Sequence, residues 1–250
     1  MSANLKSNYE VLRLNFAFKN LETIANKIIE FNKHIVFNQL LPQGFAVMNP
    51  FVENPETMQV MAQFYKKFYD DHFPRHFIIG INPSRHGAGL TGVPFTDTKR
   101  LESACGIRMQ SAYSHEVSSV FIYDMIDQYG GAKKFYSKFY INSPFPLAII
   151  RNKNGKWINA NYYDDAELFK AVKPFMIQTL RQHIAIGLET KIAFVLGKKN
   201  AVFLKSINRT EKLFGRLEVL EHPRFIQQYR SKYKDLYIAK YFETLDQLKG

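Results

Sequence analysis

The chain has 250 residues, 46% of them hydrophobic, enough to bury one substantial core, and one domain over residues 1–250 is expected. Its 34 lysines and arginines exceed its 22 acidic residues by 12, so the field around the protein attracts polyanions, nucleic acid first and an anionic membrane surface second. Cys105 is the only cysteine, which excludes disulfide frameworks, four-cysteine zinc sites and cysteine-ligated iron–sulfur clusters within one chain. The first residues lack the apolar core of a signal peptide and no later run is long enough to span a bilayer. A cytoplasmic location, nucleoid-associated in a bacterium, is therefore expected, with no membrane partner.

In chain order, Leu12, Phe16, Leu21, Ile24, Ile28 and Phe31 fall at mostly helical intervals and predict a helix from Tyr9 to about Phe37. "NPETMQVMAQFYKKFYD" predicts a second helix capped by Asn54, with Pro55 in its first turn. Four short apolar runs then read as strands: "HFIIGIN", "KFYINS", "KIAFVLG" and "RLEVLEH". Between them lie the helical patterns "VSSVFIYDMIDQYG" and, after an Asp164 or Asp165 cap, "AELFKAVKPFMIQTLRQHIAIG". "RNKNGKWIN" reads as a small hairpin turning at Asn154-Gly155. Strands alternating with helices imply an α/β fold, a three-layer α/β/α sandwich around a mainly parallel four-stranded sheet, with extra N-terminal helices. In such sheets ligands bind beyond the carboxyl ends of the strands, which directs attention to Asn82, Asn142, Gly197 and His222.

Several patterns have bland readings that prevail. Gly87, Gly89 and Gly92 match G-x-G-x-x-G, but "NPSRH" separates them from the strand and Val93-Pro94-Phe95 follows, a poor start for the helix that a dinucleotide site requires. His72 and His76 stand four apart, but Pro74 between them breaks any helix, so a loop pair is expected rather than a metal site. There is no H-x-E with P-C-x-x-C of a zinc nucleobase deaminase and no G-x-S-x-G elbow. The basic-aromatic runs "FYKKFYD" and "KKFYSKFY" could stack bases and hold phosphates, the first reading better as an amphipathic helix with solvated lysines. Lys198 and Lys199 stand at a helix start, where they make either a phosphate seat or a solvated cap.

What remains is Asn82-Pro83 after one strand, Phe95 on the long loop, Asn142 after another strand, and His222-Pro223-Arg224 after the last. Here "GINPSRHGAGLTGVPF" resembles the first motif of the uracil-DNA glycosylase superfamily, specifically its single-strand-selective monofunctional branch, with the form G-M-N-P-G and a later T-G-V-P-F. "INSPFPL" is similar to that branch's strand ending in Asn before a Pro-Leu pair, and "EHPR" to its closing His-Pro motif. The likeness covers a core from about Arg75 to Arg230. Three departures stand out. Ser84 replaces the glycine after Asn-Pro and narrows the pocket near the base's 5-position. Asn142 is one residue farther from Pro146-Leu147 than the pattern has it, so that either Asn142 or Ser143 reads the base. After His222 the chain runs Pro-Arg-Phe-Ile without the branch's Pro-Ser-Pro-Arg, which leaves Arg224 and the bulky apolar pair Phe225 and Ile226, with Arg230 farther on, as candidates for the residue that enters DNA; the pair reads equally as the start of the next helix, packed on the sheet.

The resemblance implies a monofunctional glycosylase that hydrolyses the N-glycosidic bond of uracil in single- or double-stranded DNA, works without cofactor or metal, and acts as a monomer. Phe95 would stack under the extruded base, with Ile81 and Ser84 beside it, and Asn142 would donate to O4 and accept from N3–H. His222 would donate to the developing O2 anion, and Asn82, an amide that cannot act as a general base near neutral pH, would orient the water. Arg224, Phe225, Lys198 and Lys199 would contact DNA. With no lysine at the motif positions, no covalent imine and no strand cleavage are expected. The competing reading is a non-catalytic or RNA-directed nucleic-acid-binding protein that retains the fold.

Overall fold

The computed structural model describes residues 22–249. In chain order its elements are α1 (Ile24–His34), β1 (Phe45–Met48), α2 (Pro50–Glu53), α3 (Pro55–Tyr69), β2 (Arg75–Ile79), α4 (Ala88–Thr91), α5 (Thr98–Ser103), α6 (Val117–Gln128) and α7 (Ala132–Tyr136). Then follow β3 (Phe139–Asn142), β4 (Ala148–Lys153), β5 (Lys156–Ala160), α8 (Ala166–Gly187), β6 (Leu188–Leu196), α9 (Lys198–Glu211), β7 (Arg216–Leu220), α10 (Pro223–Tyr229) and α11 (Lys234–Leu245). Capping chemistry sets several of these starts. The side chains of Thr23, Asn54 and Asp165 accept backbone N–H groups at the first turns of α1, α3 and α8, filling donors that have no partner inside the helix. The part of the expected first helix from Tyr9 to Leu21 lies outside the described residues.

The central sheet has the order β3-β2-β6-β7 and is parallel throughout. Its register aligns Asn142, Ile79, Val195 and Val219 in one row, and beyond it the Gly80 N–H donates to the Asn142 carbonyl and the Gly197 N–H to the Leu220 carbonyl, both at 2.7 Å. All four chains therefore leave the sheet at one edge. Side chains alternate across a strand, so Phe77 and Tyr140 share a face, where His183 of α8 packs against both rings and Phe31 of α1 packs against His183. Phe139 points the other way, to Phe135 of α7 and Tyr129 after α6, and Tyr129 in turn meets Phe242 of α11. The result is the α/β/α sandwich that the alternation of strands and helices implies.

Four local features differ from the sequence reading. A second sheet, antiparallel with the order β1-β4-β5, adds one unforeseen strand, β1, to the expected hairpin, because β1 is too short for its pattern to register and its pairing to β4 joins residues about a hundred positions apart. "KKFYSKFY" is no base platform: Phe135, Tyr136, Phe139 and Tyr140 are all buried in the core. His76 lies within β2, in the run read as a strand, so that His72 and His76 are not the loop pair that their spacing around Pro74 suggested. The loop after Asn82 contains one helical turn, α4, closed at Gly92.

Candidate active site

At the carboxyl edge of the central sheet opens a cavity of about 430 Å³, within the range usual for small-molecule sites. All ten residues singled out from the sequence line it: Ile81, Asn82, Ser84, Phe95, Asn142, Lys198, Lys199, His222, Arg224 and Phe225. Ser143 lines it as well, so both candidates for reading the base face the same space.

The strand ends are pinned by a residue that no motif flagged. Asn200 of α9, fully buried, donates from Nδ2 to the carbonyls of Gly80 (3.0 Å) and Leu196 (3.1 Å), and its Oδ1 accepts the Tyr162 hydroxyl at 2.5 Å. Tyr162 donates its backbone N–H to Asn82 Oδ1 at 3.1 Å, while Asn82 Nδ2 donates to the Ala160 carbonyl at 3.0 Å. Asn82 thus ties the β2 exit to the loop after β5. One lone pair of its oxygen stays available on the cavity wall.

Phe95 reaches the cavity from the long loop with φ of +54°, a left-handed conformation that bulky residues rarely adopt and that is worth about 1 to 3 kcal/mol of strain. The surrounding loop enforces it. Thr91 donates its hydroxyl to the Thr96 carbonyl at 2.6 Å, and the buried Asp97 caps α5 while accepting the Glu116 N–H and the Ser119 hydroxyl, each at 2.7 Å. The ring lies over Gly80, where a Cβ would come within 3.0 Å of it, and its centroid is 5.8 Å from that of His222.

Asn142 is held by two bonds, from Nδ2 to the Tyr140 hydroxyl at 2.6 Å and from the Ser143 N–H to Oδ1 at 2.8 Å, which leave one donor and one lone pair for a ligand. Ser143 spends its hydroxyl on the Phe145 carbonyl at 3.1 Å. His222 caps α10, its Nδ1 accepting the Arg224 N–H at 3.2 Å. Burial first, and the Arg224 guanidinium second, push its pKa down to about 4, so the ring is neutral near pH 7 and carries its proton on Nε2. It can donate a hydrogen bond without being charged.

Glu116 was not anticipated, since nothing in its local pattern distinguishes it from a helix-start acid. It stands at the head of α6 against the cavity, and one carboxyl oxygen accepts the Ser84 hydroxyl at 2.9 Å. The Gly87 backbone passes so close that a Cβ there would come within 2.0 Å of Glu116 Oε2. Burial raises its pKa above the ordinary carboxylate value, partly countered by hydrogen bonds from Ser84 and Ser118.

The outer wall carries positive charge and aromatic surface. Lys199 lies over the Tyr163 ring at 4.5 Å, and Lys198 pairs with Glu221 at 2.7 Å, so the charge of Lys198 is shared with a neighbour. The adjacent residues Phe225 and Ile226 part company: Ile226 is fully buried in the core and so is no candidate to enter DNA, whereas Phe225 stays 38% exposed at the cavity mouth, flanked by Tyr229 and by the Arg230 guanidinium 5.4 Å above its ring. Among the described residues no helix is long and apolar enough to cross a membrane.

The profile of the Uracil DNA glycosylase superfamily matches residues 66–246. The crystal structure of wild-type Pedobacter heparinus SMUG2 is similar to this chain at 47% sequence identity and a TM-score of 0.88, over 91% of this chain and 98% of that one. No curated protein matches the sequence. With the profile spanning most of its length and the same fold in a relative of this identity, the chain belongs to the uracil-DNA glycosylase superfamily.

Proposed function

We propose that this DNA glycosylase-type hydrolase removes uracil from DNA by hydrolysing the N-glycosidic bond, initiating base excision repair and leaving the strand intact. The observation that carries the reading is the placing of His222 beside Phe95 in the cavity that Asn142 also lines, with its Nδ1 taken by the Arg224 N–H so that Nε2 is the nitrogen left to donate. Cleavage breaks the bond between C1′ and N1, and the electron pair departs with the base. A donor that need not lose a charge to act suits the developing O2 anion, a role worth about 3 to 4 kcal/mol in comparable sites.

The remaining parts follow. Phe95 replaces the stacking that an extruded base loses, about 1 to 3 kcal/mol. The free donor and lone pair of Asn142 match O4 and N3–H of uracil, a pairing that cytosine would leave mismatched. A water on the free lone pair of Asn82 attacks C1′, and its proton passes to solvent, because an amide does not take it. Lys198, Lys199 and the N–H groups of the first turn of α9 face the cavity rim, where the backbone phosphates of a strand would pass.

One observation favours a second reading, a nucleic-acid-binding protein without catalysis: Asn82 already spends one lone pair and one N–H on the loop after β5. A single assay separates the two. Incubation with uracil-containing single- and double-stranded oligonucleotides, followed by alkaline treatment, is expected to cleave the strand at uracil only after alkali. Binding without any alkali-labile site would leave the non-catalytic reading standing.

A further inference from the structure

We propose that the β4–β5 hairpin is a second nucleic-acid contact, on which Trp157 stacks against a base flanking the nucleotide in the cavity. The proposal rests on reading that cavity as the seat of an extruded nucleotide. Trp157 is the only tryptophan in the chain and is 41% exposed, on the edge strand of the small sheet. Because side chains alternate along a strand, Trp157 and Asn159 share one face of β5. Asn159 lines the cavity, and its Oδ1 accepts the Arg85 N–H at 3.0 Å. At about 3.3 Å per residue, Trp157 stands roughly 6.6 Å along the strand from Asn159, about two base-stacking rises of 3.4 Å. The ring is thus within reach of a base one or two positions along the strand from the one in the cavity.

Rigidity and charge point the same way. Five paired positions and a two-residue turn at Asn154-Gly155 hold the ribbon, so the indole is presented with little further ordering on binding. At the tip Lys153 is registered directly against Lys156, an arrangement of like charges that destabilises a hairpin. Among the described residues neither lysine forms an ion pair, and a phosphate backbone would relieve their repulsion. Alternation puts this pair on the other face of the ribbon, but at its very end, where flexible stems reach round. Arg85 adds a further cation beside Asn159, its Nε donating only to His86. A tryptophan that merely covered its cross-strand neighbour Asn152 would explain neither the lysine pair nor the face shared with the cavity.

The single tryptophan makes the test direct, since fluorescence excited at the red edge of the aromatic band, where the 14 tyrosines do not absorb, reads Trp157 alone. The protein is titrated with a single-stranded oligonucleotide carrying a tetrahydrofuran abasic analogue at the target position, and with versions in which the neighbours on the 5′ or the 3′ side also lack bases. Quenching is expected with intact neighbours, and its loss when the bases on one side are removed. Trp157→Ala is expected to raise Kd by about five- to a hundredfold, with Trp157→Phe recovering most of the affinity. Unchanged fluorescence at saturation, quenching indifferent to the neighbours on both sides, or a parental Kd for Trp157→Ala would overturn the proposal. Absence of uracil release in the parent would overturn the glycosylase reading instead, while the titration, which needs only binding, would still judge the stacking.

Discussion

The backbone N–H of Arg224 donates to Nδ1 of His222 at 3.2 Å, so one helix cap settles which ring nitrogen is the acceptor and leaves the proton on Nε2. Replacing His222 by Ala is expected to lower kcat about a hundred- to a thousandfold, with DNA affinity little changed. Its acid limb should lie near pH 4 and not near 6.5, because burial and Arg224 keep the ring neutral until then. A pH–rate profile of the parent with a His222-dependent limb near 6.5 would refute the assignment. Stability carries the same sign. Between its ordinary value and about 4 the unfolded chain binds a proton that the folded one does not, so stability falls as pH drops through that window. His183, fully buried and pushed down to about 3, acts alike. Urea midpoints at pH 7 and 4.5 should fall more for the parent than for His222→Gln.

Asn82→Ala is expected to reduce turnover at least about a hundredfold while Kd for a uracil-containing strand changes severalfold at most, since water placement counts in the transition state. The substitution also frees the loop held at Ala160 and Tyr162, so a modest loss of melting temperature should accompany it. Single-turnover rates and anisotropy titrations measure the two effects separately. A parental single-turnover rate would displace Asn82 from the chemistry.

Glu116 stores a stability penalty that depends on pH. Its folded pKa is raised, so its favourable contribution is full below the ordinary carboxylate value and lost as pH rises through the folded value. Glu116→Gln keeps an oxygen for the Ser84 hydroxyl and removes the buried charge. Its melting temperature relative to the parent should therefore be higher at pH 8 than at pH 4.5. A difference that does not vary with pH would mean that the carboxylate is adequately solvated in place.

Phe225, exposed at the cavity mouth, is placed to enter the gap left in a duplex, whereas its neighbour Ile226 belongs to the core. Unstacking a base costs a few kcal/mol, and an inserted side chain recovers part of it. Phe225→Ala is expected to depress release of uracil paired with adenine about tenfold more than release from a single strand. Equal loss on both substrates would transfer the role to Arg224.

Ser84 is small, and its hydroxyl is turned to Glu116 at 2.9 Å, which leaves room on the cavity side where a larger residue would fill it. The protein should act on 5-hydroxymethyluracil at a rate comparable to uracil and poorly on thymine, whose normal pairing also resists extrusion. Ser84→Tyr should abolish the first activity. Rapid uracil release by the parent with refusal of 5-hydroxymethyluracil would show that the space is closed.

Much of this site was readable in one dimension because its parts are local. The strands β2, β3, β6 and β7 declare themselves by apolar runs, α3 by the Asn54-Pro55 start and α8 by Asp165, each rule spanning only a few residues. Once those strands are taken as parallel, the residues after them must share an edge, which is why Asn82, Asn142 and His222 could be grouped before any coordinates.

What only the tertiary structure decided are the properties that depend on partners far away in the chain. Glu116 meets Ser84 across 32 positions, Asn200 clips Gly80 across 120, and β1 finds β4 across a hundred, none of which leaves a periodic mark. The exposure of Phe225 beside the buried Ile226 follows from which side of α10 faces α6, and the basic-aromatic run from Lys133 to Tyr140 became core because α7 and β3 turn its rings inward. Residue identity fixes which groups are present, through chemistry that acts over a turn of helix or a pleat of strand. Their charge, tautomer and accessibility are set by packing, because desolvation and hydrogen bonding depend on every neighbour that the fold brings near.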